Sequence, residues 1–515
     1  DAFGVGFMNQ GLTASIWYMT SLGVGIYFGG NVVIATVISL VLCGIGAPIV
    51  WGVLGGSMPR SGGEYIYNSR ILHPIVGIGE SFGNAFIMLM WIYVLSPWMA
   101  DPGLTMMGGF MGWEGLSDFA GSTWGMFVVA TLTSVGSFLI VVLGVRVFAR
   151  IQKVLMVVGI GTGIVLLAAL SLYSKADFVS AWNELAARTG SLDYDQFLAA
   201  AAAEAGGAFP KTWNWYDTFG VMVAGTSLFI EGYFITFVAG EVKRPDKTIL
   251  LANLFAVVVP AVFMIWAGLA LYHMVPFDFF AATQYVDNAG SDLGGAYKFP
   301  FSPNYIGLLA VVNGSKLLLF LAALSFLIFD FWWVVLSYLA FPRILFAWGL
   351  DRMGPRWFAD INPRFASPVK NFLLCLGLST VLIALYCFWL TEKMQGLSVS
   401  AMEFLSVFGV TAVAARVFPY SRRARGIWES SPYRTWTILG VPVVSLGAVV
   451  YLLYIGIVVY FFFVAPTRIE GFTLSSFLLI AVTWLAGIAW YFIWKARNKA
   501  VGVDVTLTYG ELPPE

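Results

Sequence analysis

The stretch "TSLFIEGYFIT", residues 226–236, decides how the rest of the chain is interpreted. It lies inside an apolar run, 216–240, that is long enough to cross a bilayer, yet it places Glu231 and Gly232 side by side near the middle. A charged side chain at the centre of a membrane costs about 2.5–3.5 kcal/mol on insertion scales. This position therefore predicts a functional carboxylate beside an interruption of a transmembrane helix.

The composition is that of a membrane protein. The chain has 515 residues, of which 59% are hydrophobic and only 11% are charged, whereas soluble domains carry about 25% charged residues. The net charge is zero, so no basic surface points to nucleic acid. Two histidines are too few for a metal cluster, and Cys43, Cys375 and Cys387 lie in apolar runs, which predicts core packing rather than a disulfide or zinc set. No cofactor or metal is predicted.

We predict an all-α polytopic membrane protein whose partner along most of its surface is the lipid bilayer. Apolar runs delimit about twelve spans: 3–28, 31–56, 74–100, 123–145, 152–173, 215–240, 248–274, 315–341, 369–390, 399–419, 437–464 and 474–495. Two of the connections, 174–214 and 276–314, are long, and connections of this length are commonly functional or partly helical. They are expected to form either a lid or solvent-facing padding. The chain begins with Asp1 rather than methionine, so N-terminal residues are expected to be missing.

The basic residues predict the orientation of these spans. If the connections alternate between the two sides, 21 of the 28 lysines and arginines fall on one side, which the positive-inside rule assigns to the cytoplasm. Both termini are then cytoplasmic, and the predicted location is the plasma membrane. Seven basic residues remain for the outer side: Lys175, Arg188, Lys211, Lys298, Lys316, Lys393 and Arg468.

The first and sixth spans carry matching interruptions. Span one contains "MNQGLTASIW", residues 8–17, which places small and polar residues at mid-membrane depth, as "SLFIEGYF" does in span six. Interrupted helices in corresponding positions of two halves indicate a transporter binding site, although small residues also allow helices to pack closely. The predicted substrate-binding residues are Gly11, Thr13, Ala14, Ser15, Phe229, Glu231, Gly232 and Tyr233.

Three connections carry motifs: "PRSGGEYIY" (59–67), "GEVKRP" (240–245) and "DRMGPRWFADINPRFASP" (351–368). In order and spacing they resemble the cytoplasmic loops of the amino acid–polyamine–organocation transporter superfamily, and the resemblance covers nearly the whole chain. It implies two inverted five-helix repeats, here 1–173 (spans one to five) and 215–420 (spans six to ten). The outer connection 174–214 separates them. Spans eleven and twelve (435–495) and a cytoplasmic tail (496–515) follow.

The resemblance also sets expectations for the coupling ion. Several proton-coupled members carry a lysine in span five, where an ungapped alignment places Gly159 here. Sodium-coupled relatives place paired hydroxyls in span eight, where this chain has Trp332 and Trp333. The chain instead offers carboxyl groups in its spans, at Glu80, Glu231 and Asp330, so a proton is the expected coupling ion and sodium is disfavoured. Possible aromatic gates are Trp17, Tyr18, Trp332 and Trp333, whose faces can contact an ammonium group.

The sequence therefore predicts a secondary transporter that moves an amino acid or an organic amine by alternating access. The acidic residues within the membrane favour a cationic amine, including a polyamine carried by an exchanger, whereas the family resemblance favours amino acids in general. A transporter-like sensor or channel is a remote alternative. A membrane enzyme is disfavoured, because the chain has no histidine cluster, nucleotide loop or plausible triad. The pattern gives no indication of oligomeric state.

Overall fold

The computed structural model describes residues 14–224, 231–390, 403–464 and 474–512, and these are mostly helical. Nine of the described helices are long and apolar enough to cross a membrane. They are α2 (Val32–Ser57), α4 (Pro74–Trp98), α7 (Thr123–Val142), α8 (Val145–Leu170), α12 (Pro245–Met274), α15 (Lys316–Leu350), α16 (Val369–Leu385), α19 (Val443–Val464) and α20 (Leu474–Ala500). Helix α4 is separated from α5 (Thr105–Met111) by a kink at Asp101, whose backbone is extended (φ −131°, ψ 115°), and α16 is followed by a π-helical turn, Tyr386–Leu390.

These nine helices coincide with predicted spans two to five, seven to nine, eleven and twelve. Four of their ends differ from the prediction by five residues or more: α8 begins at Val145, α15 extends to Leu350, α19 begins at Val443 and α20 extends to Ala500. The extended ends of α8, α15 and α20 carry basic residues and remain helical, so a hydropathy boundary does not mark the end of the helix.

The other three predicted spans are irregular where they are described. Span one comprises α1 (Ala14–Trp17) and a π-helix (Tyr18–Val24). Span six comprises α11 (Trp215–Ala224) and a 3₁₀ helix (Glu231–Phe237), with residues 225–230 outside the described ranges. Span ten comprises a π-helix (Glu403–Phe408) and α17 (Gly409–Val417).

The two long connections, 174–214 and 276–314, are helical and pack on each other. The first forms α9 (Lys175–Thr189) and α10 (Tyr194–Ala205), and the second forms α13 (Phe277–Ala289) and α14 (Tyr305–Val312). The Phe279 ring stacks on Tyr194 at 4.1 Å and meets Trp182 edge-on at 4.8 Å. This aromatic contact joins the two connections into one layer.

The remaining connections contain short helices and one hairpin. They are α3 (Glu64–Ile71), α6 (Glu114–Gly121) and α18 (Arg425–Glu429), with short 3₁₀ turns at Ala239–Glu241, Arg356–Ala359, Phe418–Tyr420 and Leu507–Gly510. The strands β1 (Thr437–Ile438) and β2 (Val441–Pro442) pair antiparallel just before α19.

Glycines allow α2 to lie at the centre of the packing. A Cβ atom at Gly52 would come within 2.8 Å of the Leu250 Cα atom in α12, and one at Gly46 within 2.8 Å of the Tyr451 Cα atom in α19. Small residues are the usual means of bringing membrane helices together, because lipid provides no hydrophobic drive for association. Cys43, Cys375 and Cys387 are buried, as the prediction of core packing requires.

Candidate functional site

The described part of span six packs closely against α12. The Tyr233 side chain is 1% exposed, and Gly232 faces α12, where a Cβ atom would lie 2.8 Å from the Asn253 Oδ1 atom and 3.1 Å from its Cα atom. Gly232 is therefore required for close packing, whatever else it does. The segment that makes this contact, Glu231–Phe237, is a 3₁₀ helix, whereas Trp215–Ala224 earlier in the same span is α-helical.

Tyr233 belongs to an aromatic cluster that joins four predicted spans. Its ring lies 6.0 Å from that of Trp51 in α2 and 5.2 Å from that of Phe408 in span ten. Trp51 in turn meets Phe408 and Tyr451 edge-on, each at 5.3 Å. A movement of Tyr233 in span six would therefore change its ring contacts with α2 and span ten. Through Trp51 it would also affect the contact with α19.

Several predicted site residues lie outside the described parts of the chain. Gly11, Thr13 and Phe229 fall outside the described ranges. Ala14, Ser15, Tyr18 and Glu231 are placed only by their backbone: Ala14 and Ser15 in α1, Tyr18 at the start of the π-helix, and Glu231 at the start of the 3₁₀ helix. Gly232 and Tyr233 are the members of the predicted substrate set whose surroundings the structure describes.

Trp17 links span one to the layer formed by the two long connections. Its indole N–H donates to the Asp287 Oδ2 atom at 2.9 Å, and the Ser302 hydroxyl donates to Asp287 Oδ1 at 2.7 Å. The Trp17 ring also meets Trp98 edge-on at 5.6 Å. Because Asp287 lies in α13, this bond connects the layer formed by the two long connections to span one. The sequence analysis missed Asp287, which looked like one acid among several in a long connection.

Asp330 and the two tryptophans after it are buried in α15. Both carboxyl oxygens of Asp330 and the indole nitrogens of Trp332 and Trp333 have no hydrogen-bond partner among the described residues. The Trp332 ring stacks on Phe148 of α8 at 5.1 Å, and the Trp333 ring packs on Trp91 of α4 at 4.7 Å. Both tryptophans therefore serve as packing residues in this conformation, and neither contacts the Tyr233 cluster in the described ring pairs.

Glu80 lies in a buried polar cluster. Its Oε2 atom accepts a hydrogen bond from the Asn68 amide at 3.2 Å, and the same amide donates to the Thr411 hydroxyl at 3.1 Å. The neighbouring Glu64 accepts from the Trp51 indole at 2.6 Å and from the Asn84 amide at 3.2 Å. The two carboxyl groups are close enough to interact electrostatically. We call Glu64, Asn68, Glu80, Asn84 and Thr411 the acidic cluster.

Sequence reasoning identified only Glu80 in the acidic cluster. Glu64 stands inside the quoted "PRSGGEYIY" motif, but its position between two spans suggested solvent, whereas the structure buries it completely. One signal was available: Glu80 and Asn84 are four residues apart and so share a helix face. Burial raises the pKa of Glu64 to about 7, although its hydrogen bonds with its own backbone, Trp51 and Asn84 favour the ionised form.

The three quoted motifs meet at one end of the helical bundle. Ser61 of the first motif forms an isolated bridge with Val238, just before the second motif. Glu241 of the second motif accepts a hydrogen bond from Arg343 near the end of α15 at 2.7 Å. Asp351 opens the third motif and pairs with Arg70 in α3. These contacts attach span six to both α3 and α15.

Long apolar helices, polar groups buried among them and an irregular span six define a multi-pass helical membrane protein of the transporter type. The sequence model of the amino acid permease family matches residues 11–490, which is most of the chain. The chain therefore belongs to the amino acid permease family, within the amino acid–polyamine–organocation superfamily. This is a family of transporters and not of enzymes. No curated protein matched the chain.

Proposed function

We propose that this protein is a secondary active transporter that moves an amino acid or an organic amine across the plasma membrane by alternating access. The observation that carries the proposal is the form of span six, which is α-helical over Trp215–Ala224 and 3₁₀-helical over Glu231–Phe237. Irregular backbone at membrane depth is tolerated where protein buries it or where it lines a cavity. Membership of a permease family supports the same conclusion.

The proposed binding site lies between the interruptions of spans one and six. Backbone N–H groups near Gly11, Thr13, Ala14 and Ser15 would bind the substrate carboxylate, since the amino end of a half-helix favours an anion. Glu231 would bind the substrate ammonium, with Phe229, Gly232 and Tyr233 around it. The burial of Tyr233 among Trp51 and Phe408 supports this role, because the cluster ties the site to three other spans.

The proposed architecture is that of the family: twelve spans, of which the first ten form two inverted repeats, with both termini in the cytoplasm. A proton is the proposed coupling ion, carried by Glu231, Asp330 or Glu80. Packing of Trp332 and Trp333 against α8 and α4 supports this choice over sodium, since these side chains offer no oxygen ligands. An exchanger of polyamines or other cationic amines is the alternative, because it would use the same carboxyl groups.

A thermal-shift screen of the purified protein against single amino acids and amines tests the substrate class. A ligand that binds the folded state raises its stability by RT ln(1 + [L]/Kd), about 2.7 kcal/mol at a hundred times Kd. Stabilisation by one chemical group of compounds is expected. If no amino acid or amine stabilises the protein or competes for uptake into proteoliposomes, the proposed substrate class is wrong.

The variant Glu231→Gln tests the carboxylate. If Glu231 binds the ammonium, the variant should bind the identified compound at least tenfold more weakly at every pH, because a buried charge loses its partner. If it carries only the proton, exchange should survive while accumulation driven by a pH gradient is lost. Glu114→Gln, at an exposed position in α6, is the matched control. Unchanged binding, exchange and accumulation would show that Glu231 is a packing residue.

A further inference from the structure

The acidic cluster contains more hydrogen-bond acceptors than donors. Glu80 Oε1, Asn68 Oδ1 and Asn84 Oδ1 are all buried without a hydrogen-bond partner among the described residues. Every amide or indole N–H that the structure directs at the two carboxyl groups is already in use, from Trp51, Asn68 and Asn84. A buried acceptor without a donor destabilises the folded state. The missing component is therefore a donor.

One proton would supply that donor. A proton on Glu80 would turn this carboxyl group into an O–H donor among the amide oxygens of Asn68 and Asn84. Glu64 is then the carboxyl group that can release a proton, because the Trp51 and Asn84 N–H groups already bind its oxygens and stabilise its charge. Two carboxylates that share a buried site cannot both ionise without strong repulsion. The geometry thus keeps one proton on Glu80 while Glu64 is ionised.

Among the described residues, no cation lies at the pair to replace the proton. The nearest basic side chain on the same segment, Arg70, binds Asp351 instead. The groups that face the pair from the other elements are Trp51 of α2 and Thr411 of α17, both uncharged. The third titratable group described beside Glu64 is the Tyr67 hydroxyl, which is neutral in its protonated form. No other charged group is described at the pair.

We propose that Glu64 and Glu80 together form a proton-binding site that holds one exchangeable proton and serves as the coupling site of the transporter. The coupling role rests on the proposed function, whereas the proton-binding site itself is defined by geometry. On release, the O–H bond of the carboxylic acid breaks and the proton passes to water. The resulting carboxylate keeps its bonds from the surrounding N–H groups.

The site is attached to span six, which provides the link to transport. Trp51 donates to Glu64 and packs against Tyr233. Gly63, directly before Glu64, lies against Phe237, where a Cβ atom would come within 3.0 Å of the ring; its φ of +53° also favours glycine. A movement of span six would therefore change the contacts of Glu64. Asp330, the other buried acid of the described spans, has no described donor that would stabilise its charge, so it is less suited to release and rebind a proton.

Infrared difference spectroscopy of the purified full-length protein tests the site, with the proton as the probe. Titration from acid to alkaline pH should remove one carbonyl-stretch band of a protonated carboxylic acid, with a midpoint near neutral pH. Because Glu64 is the group that releases the proton, Glu64→Gln should abolish this band, Glu80→Gln should shift its midpoint, and Glu114→Gln should leave it unchanged. Glu64→Asp keeps an acid at the site and should shift the band without removing it, and thermal unfolding of each variant checks that it is folded.

Three outcomes would overturn the proposal. They are a band that persists in Glu64→Gln, a midpoint that Glu80→Gln leaves unchanged, and a band that disappears when sodium is added at constant pH. The last result would identify a metal-ion site. The measurement needs no substrate, so a failed ligand screen would refute the proposed function and leave the proton site standing, whereas an absent band would refute the site alone.

Discussion

The guanidinium of Arg70 binds both carboxylate oxygens of Asp351, at 2.6 and 2.7 Å, and neither side chain is exposed to solvent. Arg70 lies in α3, between spans two and three, whereas Asp351 follows α15, which is span eight. The Tyr65 hydroxyl donates a further bond to Asp351 at 2.6 Å. The pair therefore connects the first proposed repeat to the second at the end of the bundle where the three motifs meet.

Removal of either partner of this pair should destabilise the protein strongly. Loss of one member leaves an unpaired buried charge, which costs about 3–5 kcal/mol. Arg70→Ala and Asp351→Ala should each lower the thermal unfolding midpoint measured in detergent, and Arg70→Met with Asp351→Leu should recover part of the loss. Arg425→Ala breaks an exposed pair with Glu429 and should cost less than about 1 kcal/mol. Equal effects for the buried and exposed pairs would contradict this account.

The tail of the chain should contribute to the same contact. The Tyr509 ring lies 5.1 Å from the Arg70 guanidinium, and its hydroxyl lies 3.2 Å from that of Tyr65. Tyr509→Phe keeps the ring and should cost about 0.5–1.5 kcal/mol for the hydrogen bond, whereas Tyr509→Ala should add a cation–π loss of about 0.5–2 kcal/mol. Limited proteolysis of the tail provides the measurement, and Leu507→Ala, at an exposed position, is the control. If Tyr509→Ala leaves cleavage of the tail unchanged, the tail does not dock as described.

The contact between α4 and α20 should not tolerate a larger residue at Gly487. A Cβ atom there would lie 2.8 Å from the Gly79 Cα atom, and neither backbone can move without separating the helices. Gly487→Val should therefore destabilise the protein by about 1–3 kcal/mol through overpacking. Gly377 of α16 has open space at its Cβ position, so Gly377→Val should have a smaller effect. Thermal unfolding of both variants gives the comparison, and a neutral Gly487→Val would mean that the helices are further apart.

The buried Glu64 should make stability fall as pH rises. Its pKa in the folded protein, about 7 against an ordinary 4.5, is raised mainly by burial, so the folded state binds more protons than the unfolded state between these values. Stability then decreases with pH across this window. From about pH 5 to about pH 8 the native chain should lose up to about 3 kcal/mol relative to Glu64→Gln. Unfolding at several pH values checks the slope; parallel curves for the two proteins would show that Glu64 keeps one protonation state.

Labelling with an impermeant thiol reagent should establish the orientation. In a background without Cys43, Cys375 and Cys387, single cysteines at the exposed positions Arg423 and Arg497 should react only from the cytoplasm. A cysteine at Lys175 should react only from outside, as the distribution of basic residues predicts. Each variant is compared with the same protein in permeabilised cells, where all three should react. The reverse pattern would overturn the predicted topology.

The acidic cluster shows which residues of the candidate site could be predicted from the sequence and which could not. Glu80 was predicted because an acid inside an apolar run is conspicuous. Glu64 was overlooked, since a polar residue between two spans is ordinarily in water, and nothing local indicates that α3 is buried. Asn68, Asn84 and Thr411 are common polar residues, and their relation to Glu80 depends on how α3, α4 and α17 approach one another.

The sequence by itself determined the class of protein, the positions of nine long helices and the family, because hydrophobic runs and loop motifs are local properties of the chain. Only the tertiary structure decided which buried charges have partners. Arg70 and Asp351 are 281 residues apart, and Trp17 and Asp287 are 270 apart. A hydrogen bond forms only when the donor and acceptor atoms of such side chains lie within a few tenths of an ångström of their preferred separation. Those distances follow from helix packing that no single stretch of sequence contains.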